Sequence, residues 1–207
     1  MGLSKGEETR LGALPTLAWL VPGILVLSAL ILLLTGDPGR EWLRFDRSGI
    51  AAGEFWRLLT GHLVHFSPSH AGWDLAVFAL AGGWLERRDR AAYLGLIALA
   101  AAASGIWFLA VLPDMARYGG LSGLASASAV LLALHGIHGE RRVRPLWAAV
   151  PLLFAAKVCY ELVTGAAAFA VPGATRFEVV PSVHVIGALA AILLFRAHRR
   201  RKPLAAT

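Results

Sequence analysis

The stretch Gly120-Leu121-Ser122-Gly123 is the part of this sequence most suited to bond-breaking chemistry. A serine set among glycines at the start of an apolar helix presents its hydroxyl beside backbone N–H groups that have no helical acceptor. Those are the components of a nucleophile and an oxyanion site. Such a serine needs a base, and His184 is the leading candidate. An ionisable side chain inside an apolar helix is expensive, which favours a functional role over a packing role. A second group, His65, His70 and Asp74, surrounds the start of another apolar run. His70 and Asp74 are four residues apart, so they share a helix face.

These residues are embedded in a membrane protein. The 207 residues are 57% apolar and 16% charged, and the mean hydropathy is +0.63. Several windows approach the ~20 apolar residues that cross a bilayer. One domain is expected at this length. The net charge of +7 is dispersed in short clusters between apolar runs. That pattern fits membrane topology and argues against a nucleic-acid surface. The single Cys159 excludes a disulfide within the chain and reads as a helix-packing residue.

Six helices are expected, over residues 14–34, 68–85, 91–112, 121–138, 145–170 and 181–195. The run at 14–34 is too long for a signal-peptide core and reads as a retained helix. Residues 1–13 form a polar cytoplasmic tail, 14–197 the membrane domain, and 198–207 a basic cytoplasmic tail. The segment 35–66 mixes charges with Trp42, Phe45, Phe55 and Trp56 and is expected to lie at the external interface. With six spans, one side receives thirteen Lys/Arg: Lys5, Arg10 and the clusters at 87–90, 141–144 and 196–202. The other side receives six: Arg40, Arg44, Arg47, Arg57, Arg117 and Arg176. The positive-inside rule then places both termini in the cytoplasm. Helices two, four and six all run inward, so His70, Ser122 and His184 meet at one depth near the external surface, with Asp74 slightly deeper.

Competing readings of these residues divide unevenly. His65 and His70 do not make a metalloprotease motif, because no Glu follows His65 and no third ligand completes the cluster; neither a metal nor a cofactor is expected. Lys157 and Glu161, four apart on the fifth helix, read as a mutually neutralising pair. His135, His138 and His198 fall at the cytoplasmic end. Gly187, Ala188 and Ala191 give the sixth helix a small-residue face that permits close approach to the fourth.

The ordered elements Trp56-Arg57-x-x-Thr60, His65-x4-His70-x3-Asp74, Gly82-Gly83-Trp84-Leu85-Glu86-Arg87, Gly120-x-Ser122-Gly123 and His184-x-x-Gly187 resemble the rhomboid family of intramembrane serine proteases. The similarity spans roughly residues 55–191. The compact chain, the Lys157/Glu161 helix and the 180–188 stretch look most like the bacterial rhombosortase subgroup. The resemblance implies an all-α six-transmembrane-helix bundle in which Ser122 is the nucleophile and His184 the base. It implies oxyanion support from His70 and from the backbone at Gly120, Leu121 and Ser122, with structural roles for His65, Gly123, Gly187, Arg57 and Glu86. Two positions depart from the family pattern. Asp74 stands where rhomboids usually carry Asn, and it would assist an oxyanion only if protonated. Ser126 stands where many carry Tyr beneath the histidine, so His184 is expected to be held differently.

The resulting expectation is a multi-pass plasma-membrane endopeptidase with its site facing the external or periplasmic side. Its partners are transmembrane protein substrates and the bilayer, not nucleic acid. By analogy to rhombosortases, the substrate is a surface protein with a C-terminal Gly-rich segment, a membrane helix and a basic tail. The alternative is a catalytically inactive rhomboid-like protein that binds membrane clients. A small transporter is disfavoured, because the polar residues gather at one end and line no path across the bilayer.

Overall fold

The computed structural model describes residues 19–168 and 179–201. The expected N-terminal tail, the start of the first apolar run and most of the 171–180 loop lie outside the described residues. Among the described residues nine α-helices and one two-stranded ladder follow in order: α1 (Leu20–Thr35), α2 (Asp37–Leu43), β1 (Phe45–Asp46), α3 (Arg47–Ala51), α4 (Arg57–Thr60), α5 (Pro68–Arg88), α6 (Arg90–Ala110), β2 (Arg117–Tyr118), α7 (Ser122–Ile137), α8 (Arg144–Thr164) and α9 (Pro181–Arg201).

Local chemistry explains where the long helices start and stop. Ser67 accepts from the His70 N–H, and Pro68 occupies the first turn, so α5 starts there. Asp89 breaks the chain between α5 and α6 by capping the Ala92 N–H at 3.0 Å. Pro145 opens α8, and Gly165 ends it in the left-handed region at φ 65°. The fifth expected helix therefore stops short of residue 170. The last helix instead continues beyond Phe195 through basic residues to Arg201. Arg and Lys suit such an extension, because their heads reach water while their stems stay on apolar surface.

Three of the described helical stretches are long and apolar enough to cross a membrane: Arg90–Ala110, Arg141–Thr164 and Pro181–Arg200. Leu20–Thr35 and Ser122–Ile137 are apolar but shorter. The exterior is rich in large apolar side chains, including Ile24, Leu27, Leu80, Ile106, Leu152, Leu162 and Leu193. Cys159 is also exposed, so it does not pack inside the bundle as expected.

The centre of the bundle is α7, ten of whose residues are buried. Its tightest neighbour is α9. A Cβ on Gly187 would collide with the Gly123 carbonyl oxygen and stand 3.1 Å from the Ala127 nitrogen. Reciprocally, a Cβ on Gly123 would lie 2.8 Å from a Val183 methyl. Two bare backbones thus touch where the small-residue face was expected. Gly82 and Gly83 do a similar job on α5, where Tyr93 and Pro22 cover the first and Trp19 the second. Glu86 then joins α1 to this pair, accepting from the Val21 N–H at 3.1 Å and from Arg90 Nε at 2.8 Å.

The segment expected at the interface, 35–66, is a scaffold of short helices. Arg57 is buried. It pairs with Glu54 and donates to the carbonyls of Glu41 (2.7 Å) and Arg44 (3.1 Å). Arg47 reaches the end of α6, donating to the carbonyls of Phe108, Leu112 (2.7 Å) and Met115 (3.1 Å). A guanidinium there satisfies carbonyls that the helix leaves unpaired. β1 pairs antiparallel with β2, Phe45 opposite Tyr118 and Asp46 opposite Arg117, which ties this scaffold to the residues just before the glycine turn.

The backbone contact at Gly187 gives the first test. Gly187→Ala is expected to lower stability by about 1–3 kcal/mol through overpacking against a backbone that cannot yield. Gly95→Ala on α6, where nothing lies within 4 Å of the added methyl, is the control and should be neutral or slightly stabilising. Unfolding midpoints in detergent would measure both.

Candidate active site

Ser122 is the first residue of α7, and the chain enters that helix through a turn only glycine can make. Gly120 has φ +150°, and a Cβ there would stand 3.1 Å from His70 Cε1. A Cβ on Gly119 would stand 2.9 Å from the Val64 carbonyl oxygen. The turn is pinned from two sides. Gly120 N–H donates to the Gly61 carbonyl at 3.2 Å, and the Tyr118 hydroxyl donates to the Gly120 carbonyl at 2.9 Å. The hydrogen-bond ladder of α7 begins with Ala125 N–H on the Leu121 carbonyl, so the N–H groups of Ser122, Gly123 and Leu124 have no acceptor within the helix.

A small cavity of about 50 Å³ lies beside this helix start. It is lined by Ser122, His184, His70, Asp74, Lys157 and Glu161, with Tyr118, Trp73 and Val183 among its apolar walls. The N-termini of α5, α7 and α9 and the C-terminal half of α8 therefore meet at one end of the bundle. Ser122 and His184 are both buried, at 8% and 4% exposure. Their sequence neighbours, Gly123 and Val183, are the residues in close contact between α7 and α9.

His70, on the cavity wall, and His65, behind it in the fold, lie against one carboxylate. Asp74 Oδ2 lies 3.2 Å from His70 Nε2 and 3.4 Å from His65 Nε2. His65 also faces backbone: the Leu121 N–H points to its Nε2 at 3.4 Å, and its Nδ1 lies 3.3 Å from the Leu63 carbonyl oxygen. The Leu121 N–H, expected at an oxyanion site, is thus directed at His65. Among the described residues no cluster of three or more His, Cys, Asp or Glu is arranged to hold a metal ion.

On the other side, Glu161 Oε2 is 3.0 Å from His184 Nδ1, and Lys157 Nζ lies 2.8 Å from both Glu161 oxygens. Sequence spacing showed the Lys157–Glu161 pair but not its third member, because His184 comes from a helix 23 positions further on. The one available signal was that two charged side chains persist inside an otherwise apolar helix. Ser126 is buried on α7. The three histidines assigned to the other end, His135, His138 and His198, do gather there, around a separate cavity of about 550 Å³ with Arg88 and Arg199. Arg57, Glu86 and Gly187 sit away from the small cavity, in the contacts described above.

The Rhomboid domain family matches residues 52–201, which takes in the whole cavity and all but the first helices of the bundle. Comparison with curated proteins gives no match.

His62, in the short turn Gly61–Leu63 outside the long helices, supports the glycine turn with its ring against Tyr118, 6.0 Å between centroids. Burial pushes its imidazole down from 6.5 to about 4. Between those values the unfolded chain binds a proton that the folded chain excludes. Stability therefore falls as pH drops from 6.5 towards about 4. Unfolding midpoints measured across that window should slope less in His62→Asn than in the wild type.

Proposed function

The chain belongs to the rhomboid family of intramembrane serine proteases, and from that premise we propose that it is an endopeptidase in which Ser122 and His184 form the catalytic dyad. The observation that carries this reading is the shared cavity: a serine at a helix N-terminus and a buried histidine from a neighbouring helix open into the same small space. His184 takes the Ser122 proton as Oγ attacks the scissile carbonyl carbon. It then returns the proton to the leaving amine as the tetrahedral intermediate collapses to an acyl-enzyme. Water, deprotonated by the same imidazole, releases the acyl group.

The oxyanion is held by the Ser122 N–H, which has no acceptor within α7, and by His70, whose ring lies against Gly120. Asp74 acts through His70, orienting its ring with Oδ2 rather than donating to the oxyanion. Leu121 N–H contributes only after exchanging its contact with His65.

Six membrane spans with both termini cytoplasmic put this cavity near the external or periplasmic side of the plasma membrane, consistent with the positive-inside count. The short α7 supports that depth. Its 16 residues rise about 24 Å against a ~30 Å hydrocarbon core, so a helix flush with the cytoplasmic face leaves Ser122 below the outer surface. The substrate is a transmembrane segment that unwinds locally, which Gly or Pro near the cut site makes easier. A Gly-rich C-terminal sorting segment, as processed by rhombosortases, has that composition.

The test is cleavage of a co-reconstituted membrane substrate in proteoliposomes. Ser122→Ala and His184→Ala are expected to lose roughly 10³-fold or more in turnover. Asp74→Asn keeps an oxygen for His70 and should stay within about tenfold of the wild type. Cleavage that survives Ser122→Ala refutes the serine mechanism. Client binding without cleavage in the wild type, on substrates with Gly-rich segments, would favour the inactive client-binding reading.

A further inference from the structure

The cluster Lys157–Glu161–His184 does more than neutralise charge. On α8 only Val158 and Glu161 are fully buried, and both lie in the turn that carries the carboxylate. Glu161 is 3% exposed, and its two oxygens have different partners. Both accept from Lys157 Nζ at 2.8 Å, Oε1 also accepts from the Ala168 N–H at 3.3 Å, and Oε2 faces His184 Nδ1 at 3.0 Å. The ammonium is also close to the imidazole, 3.2 Å from Nδ1 and 3.4 Å from Nε2. A pair that served only to neutralise its own helix would need no partner on α9.

An ionised carboxylate only accepts hydrogen bonds. A neutral imidazole facing one through Nδ1 carries its proton there, and its other nitrogen, Nε2, then has the lone pair that a base requires. When Nε2 takes the serine proton, the new positive charge arises 3.0 Å from Glu161 Oε2. Lys157 holds the carboxylate by both oxygens, which limits its freedom to swing away.

We propose that Glu161 is the positioning residue of the active site: it sets the tautomer and orientation of His184 and stabilises the imidazolium formed when Ser122 attacks, while Lys157 anchors the carboxylate. The inference rests on the Ser122–His184 reading given above.

The experiment compares the full-length chain in proteoliposomes with Ser122→Ala, Glu161→Gln, Glu161→Asp and the double variant Lys157→Met/Glu161→Gln, measuring kcat, KM and unfolding midpoint for each. Glu161→Gln keeps the shape and loses the charge. It should lower kcat by roughly 10²–10⁴-fold with KM nearly unchanged. Glu161→Asp should recover part of that loss. The double variant removes both charges together, so no unpaired lysine is left buried if the single variant fails to fold. It should fold and remain as slow as Glu161→Gln.

A double variant with kcat within about threefold of the wild type would show that the pair only neutralises charge, and would overturn the proposal. So would a loss in Glu161→Gln that appears in KM and in the unfolding midpoint but not in kcat. Loss in the double variant, with Glu161→Gln active, would make the lysine the base and overturn it equally. Failure of the underlying serine reading is separate, since it appears as activity retained in Ser122→Ala.

Discussion

The contact of Gly187 with the Gly123 carbonyl is the constraint on which the rest of this structure depends. Between two membrane helices there is no hydrophobic gain from exchanging lipid for side chain, so close backbone approach and dispersion hold them together. Only paired glycines allow the approach seen between α7 and α9. The consequence is local to the chemistry. Ser122 precedes one of the touching residues and His184 follows another, so the packing that fixes the helices also fixes how these two side chains stand around the small cavity.

A second set of constraints comes from polar groups in an apolar setting. Each must find a partner, because an unpaired buried charge or N–H is costly. Many of these groups meet it in compact clusters. His65 and His70 share Asp74, and Lys157 and Glu161 enclose His184. Arg57 and Arg47 collect backbone carbonyls in the 35–66 scaffold. That scaffold is tied through β1 and β2 to Tyr118, and Tyr118 in turn pins the Gly120 carbonyl. Loop order and helix-terminus geometry are therefore one problem. The turn that presents Ser122 is held by residues some sixty positions earlier in the chain.

The two ends of the bundle differ in kind. One end gathers Ser122, His184, His70, Asp74, Lys157 and Glu161 around a cavity of about 50 Å³. The opposite end has Arg88, His135, His138, His198 and Arg199 around a wider one. The polarity follows from helix direction, since α5, α7 and α9 run the same way and bring their first turns to the same end, while α8 runs back with its last turns there.

Much of this was written in the sequence. Apolar runs broken by charged turns announce the long helices, because the hydrophobic periodicity and the Pro, Asp and Gly signals at their ends act locally. Ser122 stands out by its place among glycines at a helix start and His184 because ionisable groups are rare in apolar helices, and the small face of α9 follows from Gly187 and its alanines. What the sequence by itself could not assign was the partner of each polar group. Lys157 and Glu161 read as a pair because four residues on a helix make neighbours, and only packing α9 against α7 and α8 brings His184 Nδ1 to Glu161 Oε2. Leu121 N–H read as a free donor, and only the fold of the 61–70 segment aims it at His65. Ser126, too small to support the histidine as a tyrosine would, signalled that His184 is held in some other way, without saying by what. Helix identity is a local property set by spacing, whereas hydrogen-bond partners between distant segments depend on distances of a few ångströms that only the packed tertiary structure determines.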